Sequence, residues 1–171
     1  GWAFTGSRPW DLAGLAAIDW FVVNLLNRVV DLPEDRANDI AGTALVARRR
    51  GWVLGAGFAL LGANLVLSHL LAPATTPWRV AFHALGLAYN WPLRTGGRRI
   101  KERYLLKNVA SATGFMLTVF AYPLATAGGT RGLSGDVTTS TVAVTGLFFF
   151  LFELSYEVVY GHAWKAAPRQ T

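Results

Sequence analysis

The chain of 171 residues predicts an all-α protein, a polytopic bundle of about five transmembrane helices. Three observations carry this reading. Hydrophobic residues make up 53% of the chain and charged residues only 15%, whereas soluble domains carry about a quarter charged residues. The apolar residues are also bunched into runs. Segments 51–72 and 108–127 contain no Asp, Glu, Lys or Arg, and 137–152 opens a third such run; roughly 20 apolar residues cross the hydrocarbon core of a bilayer. Finally, the positive charges fall on alternate connections between these runs, which is the bias that orients membrane helices.

The first span is expected over 10–31, with Trp10 and Trp20 as interfacial anchors. Asp19, Asn27 and Asp31 share one face of it through four-residue steps, a polar stripe suited to an internal cavity. Pro33 cannot continue an undisturbed helix, so the chain is expected to loosen around Leu32–Glu34 and leave Asp35 and Asp39 in a short loop or renewed turn. The second span, 51–71, has small residues at Gly51, Gly55, Ala59 and Ala63, spacing that lets another helix approach closely. Pro73 and Pro77 bracket an outer turn, and a third span runs over 77–93. His69 and His83 are lone histidines without a partner at ligand spacing, read as packed or hydrogen-bonded. After the flexible Gly96-Gly97 turn, a fourth span covers 106–127 and a fifth 137–160, with Glu153 and Glu157 one turn apart and expected to face the bundle interior. Residues 161–171 read as a short polar tail.

Arg28, Arg36, Arg48, Arg49 and Arg50 lie in one connection, and Arg94, Arg98, Arg99, Lys101, Arg103 and Lys107 in another on the same side. Lys165 and Arg169 join them, leaving Arg8, Arg79 and Arg131 opposite. That asymmetry puts the acidic and basic loops on the cytoplasmic side, and the chain is expected in the cell inner membrane. The net charge of +6 is explained by this distribution, and no aromatic–basic interleaving or reading motif points to nucleic acid. The chain has no cysteine, hence no disulfide framework and no thiolate metal site. No signal-peptide pattern opens it.

The chemistry concentrates in the run NRVVDLPEDRAND, where Asn27, Asp31 and Asp35 recur every four residues and Asp39 follows one step further on. Carboxylates on one helical face repel one another unless a cation sits among them, and a hard divalent ion bound by oxygens is the usual answer. At the edge of a membrane span such a cluster is expected to be functional. The six cations of 94–107 attract anionic lipid headgroups and are also placed to clamp a diphosphate held through that metal. The substrate type that fits is a diphosphate head on a long hydrocarbon tail. Magnesium would bridge carboxylates and phosphate oxygens, and the tail would lie between helices.

At these residues the chain resembles the UbiA superfamily of intramembrane prenyltransferases. The family's first motif, N-D-x-x-D-x-x-x-D, is matched at Asn27, Asp31 and Asp35, with Arg28 in place of the aspartate that often follows the asparagine. The segment from Tyr89 through Arg94, then Ile100, Lys101, Lys107 and Asn108, looks like the family's tyrosine and basic positions at the next cytoplasmic junction. The resemblance implies that Asp31 and Asp35, with Asp39 alongside, hold Mg2+. It implies that Asn27 contacts the diphosphate, and that Arg36, Tyr89, Arg94, Lys101 and Lys107 bind or shield it. The implied reaction is magnesium-dependent ionisation of a prenyl diphosphate, then attack on the allylic cation by an aromatic, tetrapyrrole or lipid acceptor.

Family members carry a second Asp motif after a helix matching 153–160, where this chain reads Gly161-His-Ala-Trp-Lys. The expectation is a single incomplete domain, the amino-terminal part of a larger bundle, with 161–171 a product of truncation or frameshift. Alternatives are a catalytically inactive family member, an intramembrane terpene cyclase, or an ion-binding transporter or channel piece.

Overall fold

The computed structural model describes residues 6, 8, 10–92, 99–127 and 137–166, apart from the side chains of 157 and 160–166. Among them every regular element is helical. Helix α1 spans Trp10–Val30, α2 Leu32–Ala37, α3 Thr43–Arg48 and α4 Arg50–Leu71. A 3-10 turn at Pro73–Thr75 leads into α5, Thr76–Asn90. A second such turn at Ile100–Glu102 precedes α6, Tyr104–Met116, which passes through a π-helical stretch at Leu117–Ala121 into α7, Tyr122–Thr126. Helix α8 covers Thr139–Ala166.

Among the described residues four helical stretches are long and apolar enough to cross a membrane: Trp10–Val30, Arg50–Leu71, Tyr104–Thr126 and Thr139–Tyr156. The third expected span is the exception. Helix α5 has 15 residues, about 22 Å at 1.5 Å per residue, because it ends at Asn90, where Trp91 before Pro92 takes an extended backbone. Helix α8 runs further than expected, to Ala166 and not only to about residue 160.

Prolines set the local breaks. The helix bends at Asp31, one residue before the expected loosening, and Pro33 lies in the first turn of α2, where its missing N–H costs no hydrogen bond. The ladder is otherwise nearly continuous, with backbone N–H donations from Asp31 to Asn27 (2.9 Å) and from Asp35 to Asp31 (2.8 Å). Pro123 acts differently, because its ring leaves no room for the carbonyl four residues earlier. The backbone widens into the π-helical stretch just before it, the usual response to an inserted helix breaker.

Helix α1 is the hub. Leu12, Leu15, Val22, Val23, Leu26 and Val29 form its buried face, packed most extensively on α4 and then on α5, while α8 packs on α6. The small residues of α4 are used otherwise than expected. A Cβ at Gly51, Gly55 or Gly62 would meet nothing within 4 Å, whereas one at Gly57 would lie 2.6 Å from Leu26 Cδ2. The close approach to α1 is therefore made through Gly57, on the face that also buries Asn64 and Ser68. The Gly51–Gly55 face is open.

A buried polar knot ties the helices together. Asp19 of α1 is fully enclosed. Its Oδ1 accepts from Asn64 Nδ2 of α4 (2.7 Å), Arg79 Nη2 of α5 (2.5 Å) and His83 Nε2 of α5 (2.8 Å). Its Oδ2 accepts from Arg79 Nε (2.8 Å) and from the Tyr122 hydroxyl of α7 (2.9 Å). Two expectations are corrected here. Arg79 is no outer-loop charge but a wholly buried partner, and Asp19 does not line a cavity because five donors occupy its oxygens. His83 is hydrogen-bonded, as expected. A carboxylate in so dry a place persists only when paired and fully hydrogen-bonded.

Candidate functional site

Three features meet at the end of the bundle where the α1–α2 junction and the turn before α6 bring their charges together. The first is the acidic junction of α1 and α2. Asp31 and Glu34 lie three residues apart across the bend, on adjacent positions of one helical face. The second is a basic strap, Arg99 and Lys101, folded onto that junction. Lys101 Nζ donates to Asp31 Oδ1 (2.6 Å) and to Glu34 Oε2 (2.6 Å). Arg99 donates to Asp31 Oδ1 (3.3 Å) and to Glu34, while its Nε donates to Glu102 Oε1 (2.9 Å).

The strap shapes local acidity. Partial burial pushes the Glu34 carboxyl up, but hydrogen bonds and positive charge from Lys101 and Arg99 outweigh it and hold the group below its ordinary 4.5. The Arg99 side chain and backbone likewise hold Glu102 below its ordinary value. Hydrogen bonds to Glu102 and Glu34 in turn raise the Arg99 guanidinium further.

The third feature is an apolar cavity of about 210 Å³ beside the junction, between α1, α5 and α6. Trp20, Val23, Phe82 and Leu85 line its depth, while Asn24, Asn27, Tyr89 and Ser111 supply polar atoms. Trp20 is locked by an edge-on contact with Phe82 (centroids 5.0 Å) and a tilted one with Phe115 (5.1 Å). Asn27, one helical turn before Asp31, has an enclosed Oδ1 without a hydrogen-bond partner.

The expected site residues are only partly gathered. Asn27 and Tyr89 share the cavity, and Asp31 and Lys101 share an ion pair. Asp35 turns to another cation: Arg28 Nη1 donates to its Oδ2 at 2.6 Å, while Arg28 Nη2 donates to the Ala41 carbonyl. Asp35 and Asp39 line one rim hollow with Arg36, and Asp39 adopts a left-handed backbone, φ 49°. Among the described residues no group of three acidic or histidine side chains lies close enough to hold one metal ion. Lys107 is half-buried at the start of α6 and Glu153 half-buried on α8. Arg94 and the side chain of Glu157 lie outside the described residues.

Glu34 was not singled out by sequence, and Arg99 only as one of the six cations of 94–107, although the strap centres on them. The signal for Glu34 was its i, i+3 relation to Asp31, masked by the more regular four-residue series. No family model, curated protein or solved structure matches the chain.

Proposed function

We propose that the chain belongs to an intramembrane prenyltransferase of the UbiA type, binding a prenyl diphosphate at the α1–α2 junction and housing its tail between the helices. The observation that carries this reading is the juxtaposition of an ion-paired acidic and basic rim with an apolar, aromatic-walled cavity one turn below it. Such a site suits a ligand with a polyanionic head and an apolar body.

In chemical type the donors suit a hard divalent ion: Asp31 and Asp35 offer carboxylate oxygens and Asn27 an unpartnered amide oxygen, the ligands Mg2+ prefers. An ion there would have to take Asp35 from Arg28 and Asp31 from Lys101. Bound there, the ion would neutralise charge on the departing diphosphate. The chain's own residues supply the rest. Lys101 and Arg99 are poised to exchange their carboxylate partners for phosphate oxygens, Arg99 offering the fork geometry that suits them. Trp20 and Phe82 line the cavity with aromatic rings and would exclude water, which protects an allylic cation from quenching. Asn27 and Tyr89 orient the reacting end at the cavity mouth.

A non-catalytic reading has one observation in its favour: among the described residues, Asp31, Glu34, Asp35 and Glu102 already have cations from the chain itself. Release of diphosphate from a prenyl diphosphate by membranes carrying the chain separates the two. Magnesium-dependent release, lost in Asp31→Asn, is expected of the enzyme. Equal release by membranes with wild type, Asp31→Asn and no protein would leave only the structural reading.

A further inference from the structure

A second hollow, independent of the prenyl site, opens on the other side of the α1–α2 junction. It has a volume of about 590 Å³ and is lined by Val29 and Val30 of α1, Arg36 of α2, Arg50 and Leu54 of α4, and Trp91 after α5, among others. The size is that of a small-molecule or headgroup site. Its charge is one-sided. Arg36 and Arg50 are its charged lining residues, and neither has an acidic partner among the described residues, unlike Arg28 and Arg99 nearby. The rest of the lining is mostly aliphatic. The indole of Trp91, held edge-on by Phe58 at 6.0 Å, has an enclosed Nε1–H without an acceptor.

Two unpaired guanidiniums over an aliphatic wall, at the end of membrane-length helices, match an anion carried on a hydrocarbon body. We infer that this hollow binds one anionic phospholipid, its phosphodiester between Arg36 and Arg50 and an acyl chain along Val29, Val30 and Leu54. The charge complementarity selects the occupant, because a zwitterionic lipid would bring an ammonium beside two arginines. Basic pockets between membrane helices hold acidic headgroups by the same physics. Arg36 thereby serves the lipid and not the diphosphate.

Native mass spectrometry of the purified chain, equilibrated in detergent with equal amounts of dioleoyl phosphatidylglycerol and dioleoyl phosphatidylcholine, tests this. Wild type is expected to retain phosphatidylglycerol preferentially. The preference should fall roughly fivefold for each arginine replaced in Arg36→Gln and Arg50→Gln. Arg36→Lys/Arg50→Lys, which keeps the charge, should retain most of it and controls for folding. Asp31→Asn and Lys101→Gln should keep the preference in full, so failure of the prenyl reading leaves this one standing. Equal retention of the two lipids by wild type, or an unchanged preference in Arg36→Gln/Arg50→Gln, overturns the proposal. Displacement of the phospholipid by millimolar glycerol 3-phosphate also overturns it, since the occupant would then be a soluble anion.

Discussion

Asp19 and Arg79 form a pair that is hard to replace singly, because both are wholly buried and joined by two hydrogen bonds. Removing one leaves a bare charge in a dry interior, a change that costs about 3–5 kcal/mol, whereas replacing both by apolar residues of similar volume is often close to neutral. Asp19→Leu and Arg79→Met are therefore each expected to lower the melting temperature in detergent sharply, and Asp19→Leu/Arg79→Met to recover only part of the loss, since Asn64, His83 and Tyr122 still lose their acceptor. Equal damage in all three would show that the hydrogen-bond geometry matters more than the charge. The strap responds to pH in a defined direction. The Glu34 carboxyl is held below its ordinary 4.5, so its contribution is fully present above about that pH. It is lost as the pH falls through the lower folded value. Protection of the Ile100–Glu102 turn from hydrogen exchange should thus hold from neutrality to about pH 5 and fall at lower pH as Glu34 takes up its proton. Protection that is unchanged once the carboxylates are protonated would remove the ion pairs as its source.

Glycines distinguish the packed from the open faces of the helices. A Cβ at Gly86 of α5 would sit 2.8 Å from both methyl groups of buried Val23, while one at Gly55 of α4 would meet nothing within 4 Å. Overpacking a tight contact costs about 1–3 kcal/mol, and relieving a mid-helix glycine gains up to about 1 kcal/mol. Thermal unfolding should therefore show Gly86→Ala destabilised and Gly55→Ala unchanged or improved; the reverse order would contradict the α1–α5 packing. This contrast also explains what the sequence hid. The Gly51–Gly55–Ala59–Ala63 series has the spacing of a helix contact, but spacing does not say which face turns inward; Gly57, Asn64 and Ser68 do. Helix positions were readable because charge-free runs of membrane length admit few alternatives. The short α5 and the π-helical stretch were not, although Pro92 and Pro123 mark both, because a proline's effect depends on the turn it lands in.

The assembled bundle brings Asp31 and Lys101 together across 70 residues of chain, at 2.6 Å. Their shared side was legible from the alternation of charge; their pairing was not, because it depends on how α6 lies against α1. The Asp19 knot was hidden for the same reason, since Arg79 was read as a loop charge and Tyr122 as an unremarked aromatic. A topology map checks the arrangement, and the absence of native cysteine makes it simple. Single cysteines replacing Asp39 and Arg103 should react with an impermeant maleimide from one face of sealed vesicles, and one replacing Ala72 from the other. Labelling of Asp39→Cys and Arg103→Cys from opposite faces would dismantle the site. The claim on which the functional reading depends is that this rim takes up an isoprenoid diphosphate with the help of a divalent ion. Titration calorimetry of the purified chain with geranylgeranyl diphosphate should show saturable binding that requires Mg2+ and disappears in Asp31→Asn. Binding that is indifferent to both Mg2+ and Asp31, or no binding at all, would contradict it.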